Sequence, residues 1–387
     1  MIARRAAALL ARMARGFLVI AITGPRQSGK STLAREAFPN HPYVTLEDPD
    51  TRRLALADPR RFLARFPQGA VLDEVQRAPQ IMSYLQGRVD EAQRMGEFIV
   101  TGSQQFGLMS GITQSLAGRV GMLQLLPLSQ AELQVAGGAD ATLEERVWRG
   151  GYPALHDAAR AVPVASWFSS YVATYLERDV RQLLNVSNLA LFQRFLLMCA
   201  ARSGQLLNLN SLAADCGISQ PTARQWLTVL EASYVVTRIA PYHRNFGKRL
   251  VKAPKLYFLD SGLLCHLLRI DDPIALQTHA MRGAVFETWV VTEVLKHRWN
   301  QGLAADLYFW RDNHGLEFDL VYEDGGRLQA VEIKSGTTFA MDWLSGAKRW
   351  KALAGASAAQ PIVLYGGADS FDLGDARALS WREVGAG

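Results

Sequence analysis

A nine-residue segment near the N-terminus constrains this chain more than any other feature. Residues 24–32 read G-P-R-Q-S-G-K-S-T, which fits the phosphate-binding pattern G-x-x-x-x-G-K-S. The apolar run 17–22 before it is typical of a buried parallel strand, and 32–37 after it predicts the start of a helix. In this context, backbone N–H groups and a helix N-terminus hold phosphate groups. The segment therefore predicts an α/β fold that binds a nucleoside triphosphate, taken here as ATP.

Every residue of this loop is a candidate contact for the nucleotide or its metal ion. Lys30 is expected to neutralise the β- and γ-phosphates, and the Ser31 hydroxyl is expected to hold Mg²⁺. A glycine-rich turn without chemical meaning is the alternative, and the flanking strand and helix argue against it. The other loop residues expected to contact the nucleotide are Gly24, Pro25, Arg26, Gln27, Ser28, Gly29 and Thr32.

A second short apolar strand, at 69–73, ends in two acidic residues, Asp73 and Glu74. Asp73 is expected to reach Mg²⁺, and Glu74 is expected to orient and polarise the attacking water. An apolar run followed by Asp-Glu is common by itself. Its position downstream of a phosphate-binding loop makes it a specific signal for nucleotide hydrolysis.

A third strand, beginning at 97, ends among polar residues that can sense the γ-phosphate. Such a residue would lie between the other two motifs. Ser103 and Gln104 are the candidates, with Thr101 behind them, and a strand that merely enters a polar turn is the alternative.

The composition is typical of a folded soluble protein. The chain has 387 residues, of which 49% are apolar and 20% charged, with a net charge of +6. This length predicts two or three domains, and the positive charge permits a polyanionic partner such as DNA. Three widely spaced cysteines without a C-x-x-C pattern favour a reducing cytoplasm. No uninterrupted apolar run approaches the roughly 18 residues of a transmembrane helix, so no membrane association is expected.

Further motifs give the chain a specific resemblance. S-L-A-G-R lies at 115–119, P-L-S-Q-A-E-L at 127–133 and G-G-Y-P at 150–153, in addition to the L-D-E-V-Q and T-G-S runs. With these motifs the chain resembles the AAA+ ATPase superfamily. More narrowly, it is similar over essentially its full length to a prokaryotic group of ATPases with a C-terminal domain of unknown function. The resemblance implies ATP hydrolysis and assembly into a homo-oligomeric ring, a hexamer.

In AAA+ rings an arginine before the last core strand reaches the ATP of the neighbouring subunit. Arg119 is the residue at that place here, and the resemblance implies that it is an arginine finger. Such a charge is worth ~10³–10⁵ in the rate of phosphoryl transfer. Arg149 and Arg178 are rival candidates, and a structural ion pair beneath the sheet is the alternative role for Arg119.

Residues 204–258 predict a winged helix. A short helix at 209–216 and a turn precede a second helix, capped by Ser219, with apolar residues at helical spacing. Two strands, 234–239 and 255–258, then flank a basic hairpin. A module for packing or protein interaction is the alternative to DNA binding. The side chains expected to reach DNA are Gln220, Thr222, Arg224 and Gln225 on the second helix and Arg244, Lys248, Arg249 and Lys252 on the hairpin.

Near the C-terminus, a carboxylate on one strand and E-x-K on the next resemble the PD-(D/E)XK nuclease core. The alternation of a strand places Glu332 and Lys334 on one face. The resemblance implies that Asp319 and Glu332 bind Mg²⁺ with Glu287 from the preceding helix, while Lys334 orients water. The alternative is a nuclease-like fold that serves only binding or assembly.

These features predict four regions: an ATPase core at 1–135, a helical lid at 136–200, a winged helix at 201–275 and a nuclease-like domain at 276–387. Two hypotheses for function follow. The first is a DNA-associated ATPase that works as a motor or switch, and the second is an ATP-dependent switch that recognises a protein partner. A metabolic kinase is a distant third, because no region is left for an acceptor pocket.

Overall fold

The computed structural model describes residues 2–103, 116–138, 140–176, 189–242, 253–311 and 317–385. The chain divides into two compact units. Unit 1 consists of Met1–Leu128, Ala232–Tyr234 and Arg298–Leu303, and unit 2 of Ser129–Glu231, Val235–His297 and Ala304–Gly387. Within the described ranges, no helix combines the length and apolar character needed to cross a membrane.

Unit 1 is built on a parallel sheet. Its strands are β1 (Val19–Thr23), β2 (Tyr43–Thr45), β3 (Ala70–Asp73), β4 (Phe98–Gly102) and β5 (Val120–Gln124). Its helices are α1 (Ala6–Met13), α2 (Lys30–Ala37), α3 (Pro49–Ala57), α4 (Pro59–Ala64) and α5 (Ile81–Ala92). The strand order is β2-β3-β4-β1-β5, and every neighbouring pair is parallel.

The apolar run before the loop forms the centre of this sheet. Val19 and Ala21 pack into one hydrophobic cluster, whereas Ile20 and Ile22 pack into a second cluster with α1 and α2. A central parallel strand is covered on both faces, which explains why its sequence is apolar without alternation. The expected strand was right in kind, although β1 starts two residues later than the apolar run and ends at Thr23.

Unit 2 combines helices with a larger mixed sheet. Its strands are β6 (Val236–Pro241), β7 (Lys255–Phe258), β8 (Leu307–Arg311), β9 (Glu317–Asp324), β10 (Arg327–Lys334), β11 (Ile362–Tyr365), β12 (Phe371–Asp372) and β13 (Arg377–Ser380). Its helices are α6 (Gln130–Val135), α7 (Leu143–Arg149), α8 (Val164–Tyr171), α9 (Leu189–Ala200), α10 (Leu209–Cys216), α11 (Gln220–Ala232), α12 (Ser261–Leu267), α13 (Pro273–Thr278), α14 (Arg282–Gln301) and α15 (Ser345–Ala354). The strand order is β12-β13-β11-β10-β9-β8-β6-β7.

The helices expected in the winged-helix region are present. Helix α10 has the expected bounds, and the Ser219 hydroxyl accepts a hydrogen bond from the Thr222 N–H at 3.2 Å. Ala223, Leu227 and Leu230 of α11 are buried, as their helical spacing predicts. The expected hairpin lies outside the described residues except for Tyr242, so the winged helix stays a prediction.

One strand of this region begins later than expected. Tyr234 has a φ of 56°, in the left-handed region, and so it lies in a turn rather than in a strand. Its hydroxyl lies 2.8 Å from the Thr23 hydroxyl. The strand itself, β6, pairs antiparallel with β7 and parallel with β8. Strands from the expected winged-helix region and from the C-terminal region therefore belong to one sheet.

Candidate active site

Three neighbouring strands of unit 1 end at the candidate nucleotide site. In the order β3-β4-β1, the glycine loop follows β1, Asp73 ends β3, and Ser103 comes just after β4. Because parallel strands all end at one edge of the sheet, distant stretches of sequence meet there. The third strand thus lies between the other two motifs, as the sequence predicts.

The loop needs glycine at its first position. Gly24 has a φ of 149°, and a Cβ atom built there would lie 2.1 Å from the carbonyl oxygen of Leu125. Gly29, with a φ of 93°, lies just before the first residue of α2. Gly24 leaves no room for a side chain, and the backbone conformation of Gly29 favours glycine.

Lys30 gives this loop a buried cation. Its ammonium donates to the carbonyl oxygens of Pro25, at 2.7 Å, and Gly24, at 3.1 Å. Burial lowers the pKa of Lys30 to about 8, although the carboxylates of Glu74 and Asp73 act in the opposite direction. The ammonium is thus held against backbone carbonyls of the loop that is expected to cradle phosphate.

Asp73 is surrounded by hydroxyl donors. Ser31 Oγ donates to Asp73 Oδ1 at 2.7 Å, Thr101 Oγ1 donates to the same oxygen, and Tyr43 Oη donates to Oδ2 at 2.8 Å. Burial and the bond to Asp73 raise the pKa of Tyr43 to about 12. The adjacent Ser31 hydroxyl and Asp73 carboxylate offer oxygen ligands of the kind that Mg²⁺, a hard cation, prefers. The structure thus brings together the two residues expected to hold this ion.

Glu74 lies in a hydrogen-bond group with two polar side chains. Ser103 Oγ donates to Glu74 Oε2 at 3.3 Å, and Gln76 Nε2 contacts both Glu74 Oε2 and Ser103 Oγ. Of the three candidates for sensing phosphate, Ser103 contacts Glu74 and Thr101 contacts Asp73, while Gln104 lies outside the described residues. Tyr43 and Gln76 were not expected here. Tyr43 belongs to no motif, whereas Gln76 ends the L-D-E-V-Q run, which is the signal that could have found it.

Arg119 lies directly before β5 and pairs with α5. Its Nη2 is 2.9 Å from Asp90 Oδ2, its Nε contacts Oδ1, and its side chain is 33% exposed. Arg119 thus forms an ion pair within unit 1, and its role as an arginine finger stays a prediction. Of the rivals, Arg149 Nη1 donates to the Leu155 carbonyl at 3.3 Å, and Arg178 lies outside the described residues.

The residues expected to contact DNA are only partly described. Arg224 and Gln225 are exposed on α11, and Gln220 and Thr222 are half-buried. Arg224 and Gln225 therefore face solvent, and the contact of these four residues with DNA stays a prediction. The hairpin residues Arg244, Lys248, Arg249 and Lys252 lie outside the described part of the chain.

Unit 2 gathers its own charged cluster, which we define as Lys255, Tyr257, Glu287, Glu317, Asp319, Glu332 and Lys334. Lys255 Nζ lies 2.8 Å from Glu317 Oε1, 3.1 Å from Glu287 Oε1 and 3.6 Å from Asp319 Oδ1. Lys334 Nζ lies 2.6 Å from Glu332 Oε1, which confirms that these two side chains share a face. The sequence indicated four members of the cluster and missed Lys255, Tyr257 and Glu317. The alternation of Lys255 and Tyr257 on β7 is the signal that could have found two of them.

Burial dominates the electrostatics of this cluster. It raises the pKa of Glu287 and of Glu332 to about 7, and it raises the pKa of Asp319 as well. Burial acts to lower the pKa of Lys255. The surrounding carboxylates act in the opposite direction and raise this pKa above its usual range. Across the described residues, no three or more His, Cys, Asp or Glu side chains are placed to hold a metal ion. Glu287, Asp319 and Glu332 do not fit Mg²⁺ in this arrangement, because an ammonium lies among the carboxylates.

Three family models match in succession: an AAA domain over residues 17–134, a domain of unknown function (DUF8612) over 140–274 and another (DUF4143) over 282–384. A Walker-type ATPase of Pyrococcus abyssi, PABY2304, is 13% identical, with 68% of this chain and 94% of that chain covered. The TM-score between the two structures is 0.47, and the family of this chain is therefore taken from sequence matches.

Two relatives are much more similar in sequence. They are the uncharacterized protein Rv2008c of Mycobacterium tuberculosis and the uncharacterized protein Mb2031c of Mycobacterium bovis. Each is 35% identical over 377 residues, covering 96% of this chain and 82% of the relative. The chain therefore belongs to the family of these two mycobacterial proteins, and its N-terminal part is an AAA-type ATPase domain.

Proposed function

We propose that the protein hydrolyses ATP and uses the cycle to act on DNA, as a motor or a switch. ATP hydrolysis is supported above all by one observation. Lys30, Ser31, Asp73 and Glu74 lie together at the ends of neighbouring strands. A cation, a pair of Mg²⁺ ligands and a carboxylate for water are the parts that phosphoryl transfer to water requires.

The residues would divide this work as follows. Mg²⁺, held by Ser31 and Asp73, would neutralise charge on the phosphates. The Lys30 ammonium would give up its hydrogen bonds to the carbonyl oxygens of Gly24 and Pro25 and bind phosphate oxygens instead. Glu74 would orient the attacking water, and Ser103, 3.3 Å from that carboxylate, would report whether a γ-phosphate is present.

Arg119 would act on a neighbouring copy in a homo-oligomeric ring, a hexamer. Its partial exposure supports this role, because solvent screens a surface ion pair, which can therefore be exchanged for phosphate. Asp90→Asn keeps the shape of the Asp90 side chain and removes its negative charge. We expect this variant to keep or raise ATPase activity, whereas Arg119→Ala loses it by a factor on the order of 10³. Equal losses in both variants would instead assign Arg119 to the structural pair.

The DNA partner is supported by the exposed Arg224 and Gln225 on α11 and by the net charge of +6. A protein partner is the second candidate. It is favoured by α11 itself, in which Arg224 is the one basic residue between positions 220 and 232. A helix that binds phosphates over its length would carry more positive charge.

The test is steady-state ATPase activity with Mg²⁺ and single-stranded, duplex or branched DNA added in turn. Stimulation by one DNA form that is lost in Lys30→Ala and Glu74→Gln would support the proposal. Arg224→Ala should reduce the stimulation. Arg160→Ala is the matched control, because it removes an arginine that is 69% exposed elsewhere in unit 2.

The results distinguish a DNA partner from a protein partner and from an effect of net charge. If both arginine variants lower the stimulation equally, the effect belongs to net charge and not to α11. Turnover that no DNA form changes would refute the DNA proposal and leave the protein partner as the function to pursue.

A further inference from the structure

We propose that the Lys255 ammonium takes the place of a divalent metal ion in the charged cluster of unit 2. The C-terminal region would then have no metal-dependent cleavage activity at this cluster. The inference is independent of the proposed ATP hydrolysis, since it concerns residues outside the nucleotide site.

The Lys255 ammonium lies among the carboxylates that were expected to bind a metal ion. Lys255 Nζ lies within 2.8–3.6 Å of carboxylate oxygens from Glu317, Glu287 and Asp319. Mg²⁺ needs oxygen ligands at about 2.0–2.1 Å, and an ion bound by two of these carboxylates would lie in contact with the ammonium. The repulsion between two cations in a buried site is weakly screened, so the two exclude one another.

The expected metal ligands of this cluster are already paired with lysines, whereas the partners of Asp73 in unit 1 are hydroxyl groups. Glu287 Oε1 accepts a hydrogen bond from Tyr257 Oη at 2.6 Å in addition to its contact with Lys255. Asp319 Oδ2 accepts from the Ile333 N–H at 2.8 Å. Glu332, the third expected ligand, is paired with the lysine of its own E-x-K motif. The chain therefore supplies the hydrogen bonds that a hydrated ion would otherwise provide.

Lys255 is held in place by its strand and by its packing. Its side chain is 6% exposed, and its residue pairs with Ile239 in the antiparallel ladder of β6 and β7. The ring centroid of Phe309 lies 5.5 Å from the ammonium. Lys334 differs, because its side chain is 35% exposed and can turn toward solvent. Displacing Lys255 would require the strand or its packing to change.

The experiment is a Mn²⁺ titration of the nucleotide-free full-length chain, followed by the electron paramagnetic resonance signal of unbound Mn²⁺. Asp73→Asn serves as the parent, since it removes the metal ligand of unit 1. We expect no saturable Mn²⁺ binding in this parent. Adding Lys255→Met should create one Mn²⁺ site per chain, while the matched variant Lys255→Arg, which keeps the charge, should create none.

The parent alone can overturn the proposal. One Mn²⁺ bound per parent chain, and lost on adding Asp319→Asn, would show that the cluster is a metal site with Lys255 beside it. A folded Lys255→Met chain that gains no site would also contradict it. If Lys255→Met fails to fold, the parent and its Asp319→Asn variant still decide. DNA incubated with Mg²⁺ or Mn²⁺ and run on a gel is expected to stay intact.

Discussion

Raising the pH from about 7 to about 9 is expected to weaken ATP binding to the nucleotide-free protein about tenfold. The change in pH acts on Lys30, whose amino group must be protonated to attract phosphate. Burial lowers the pKa of this lysine to about 8 in the empty loop, so it loses its proton within the accessible pH range. An exposed lysine, with a pKa of about 10.4, would stay charged throughout.

The magnitude follows from the protonated fraction. With a pKa of about 8, roughly nine-tenths of Lys30 is charged at about pH 7 and roughly one-tenth at about pH 9. The phosphates raise the pKa of Lys30 in the complex, so binding takes up a proton whenever the empty loop is neutral. Affinity therefore falls as the pH rises through the pKa of the empty loop, and the loss is about 1.4 kcal/mol.

The assay is a fluorescence titration with an ATP analogue in the absence of Mg²⁺, repeated across this pH range. Lys30→Arg is the matched control, because a guanidinium stays charged up to about pH 12. Its binding curve should not change with pH, whatever its absolute affinity. The terminal phosphate, with a second pKa of about 6, is already ionised at the start of the range. Equal pH dependence in both proteins, or none in the wild type, would refute the reasoning.

Two further predictions concern the same site. Tyr43→Phe removes one hydrogen bond to Asp73 and keeps the ring, so kcat should fall roughly threefold to tenfold with little change in KM; an unchanged kcat in a steady-state assay would deny Tyr43 a positioning role. Gly24→Ala should abolish binding of the ATP analogue, because its Cβ would meet the Leu125 carbonyl at 2.1 Å. Gly87→Ala is the control: its Cβ meets nothing within 4 Å in the middle of α5, so binding should persist and the melting temperature should rise.

Much of unit 1 could be predicted from local patterns. The loop, the strand before it and the Asp73-Glu74 strand are continuous in sequence, and their chemistry depends on neighbouring residues. The position of the third strand between the other two motifs was also predicted, whereas the contact of Ser103 with Glu74 was found only in the structure. Tyr43 was missed because a tyrosine in a short strand carries no pattern, and its contact with Asp73 depends on the pairing of β2 with β3.

The charged cluster shows more clearly what could not be predicted from the sequence. The E-x-K alternation placed Glu332 and Lys334 on one face, because the period of a strand is a local property. It could not reveal that Lys255 lies among Glu287, Glu317 and Asp319, and this contact changes the expected chemistry of the cluster.

The sequence by itself determined the phosphate-binding loop, the apolar strands and the helical faces of this protein, since each depends on backbone geometry and side-chain periodicity within a few residues. Only the tertiary structure decided which charges meet. Arg119 pairs with Asp90, and Lys255 enters a cluster of carboxylates that come from α14 and β9. The physical reason is that electrostatic contacts depend on distances in space, and the order of strands in a sheet sets those distances independently of their order in the chain.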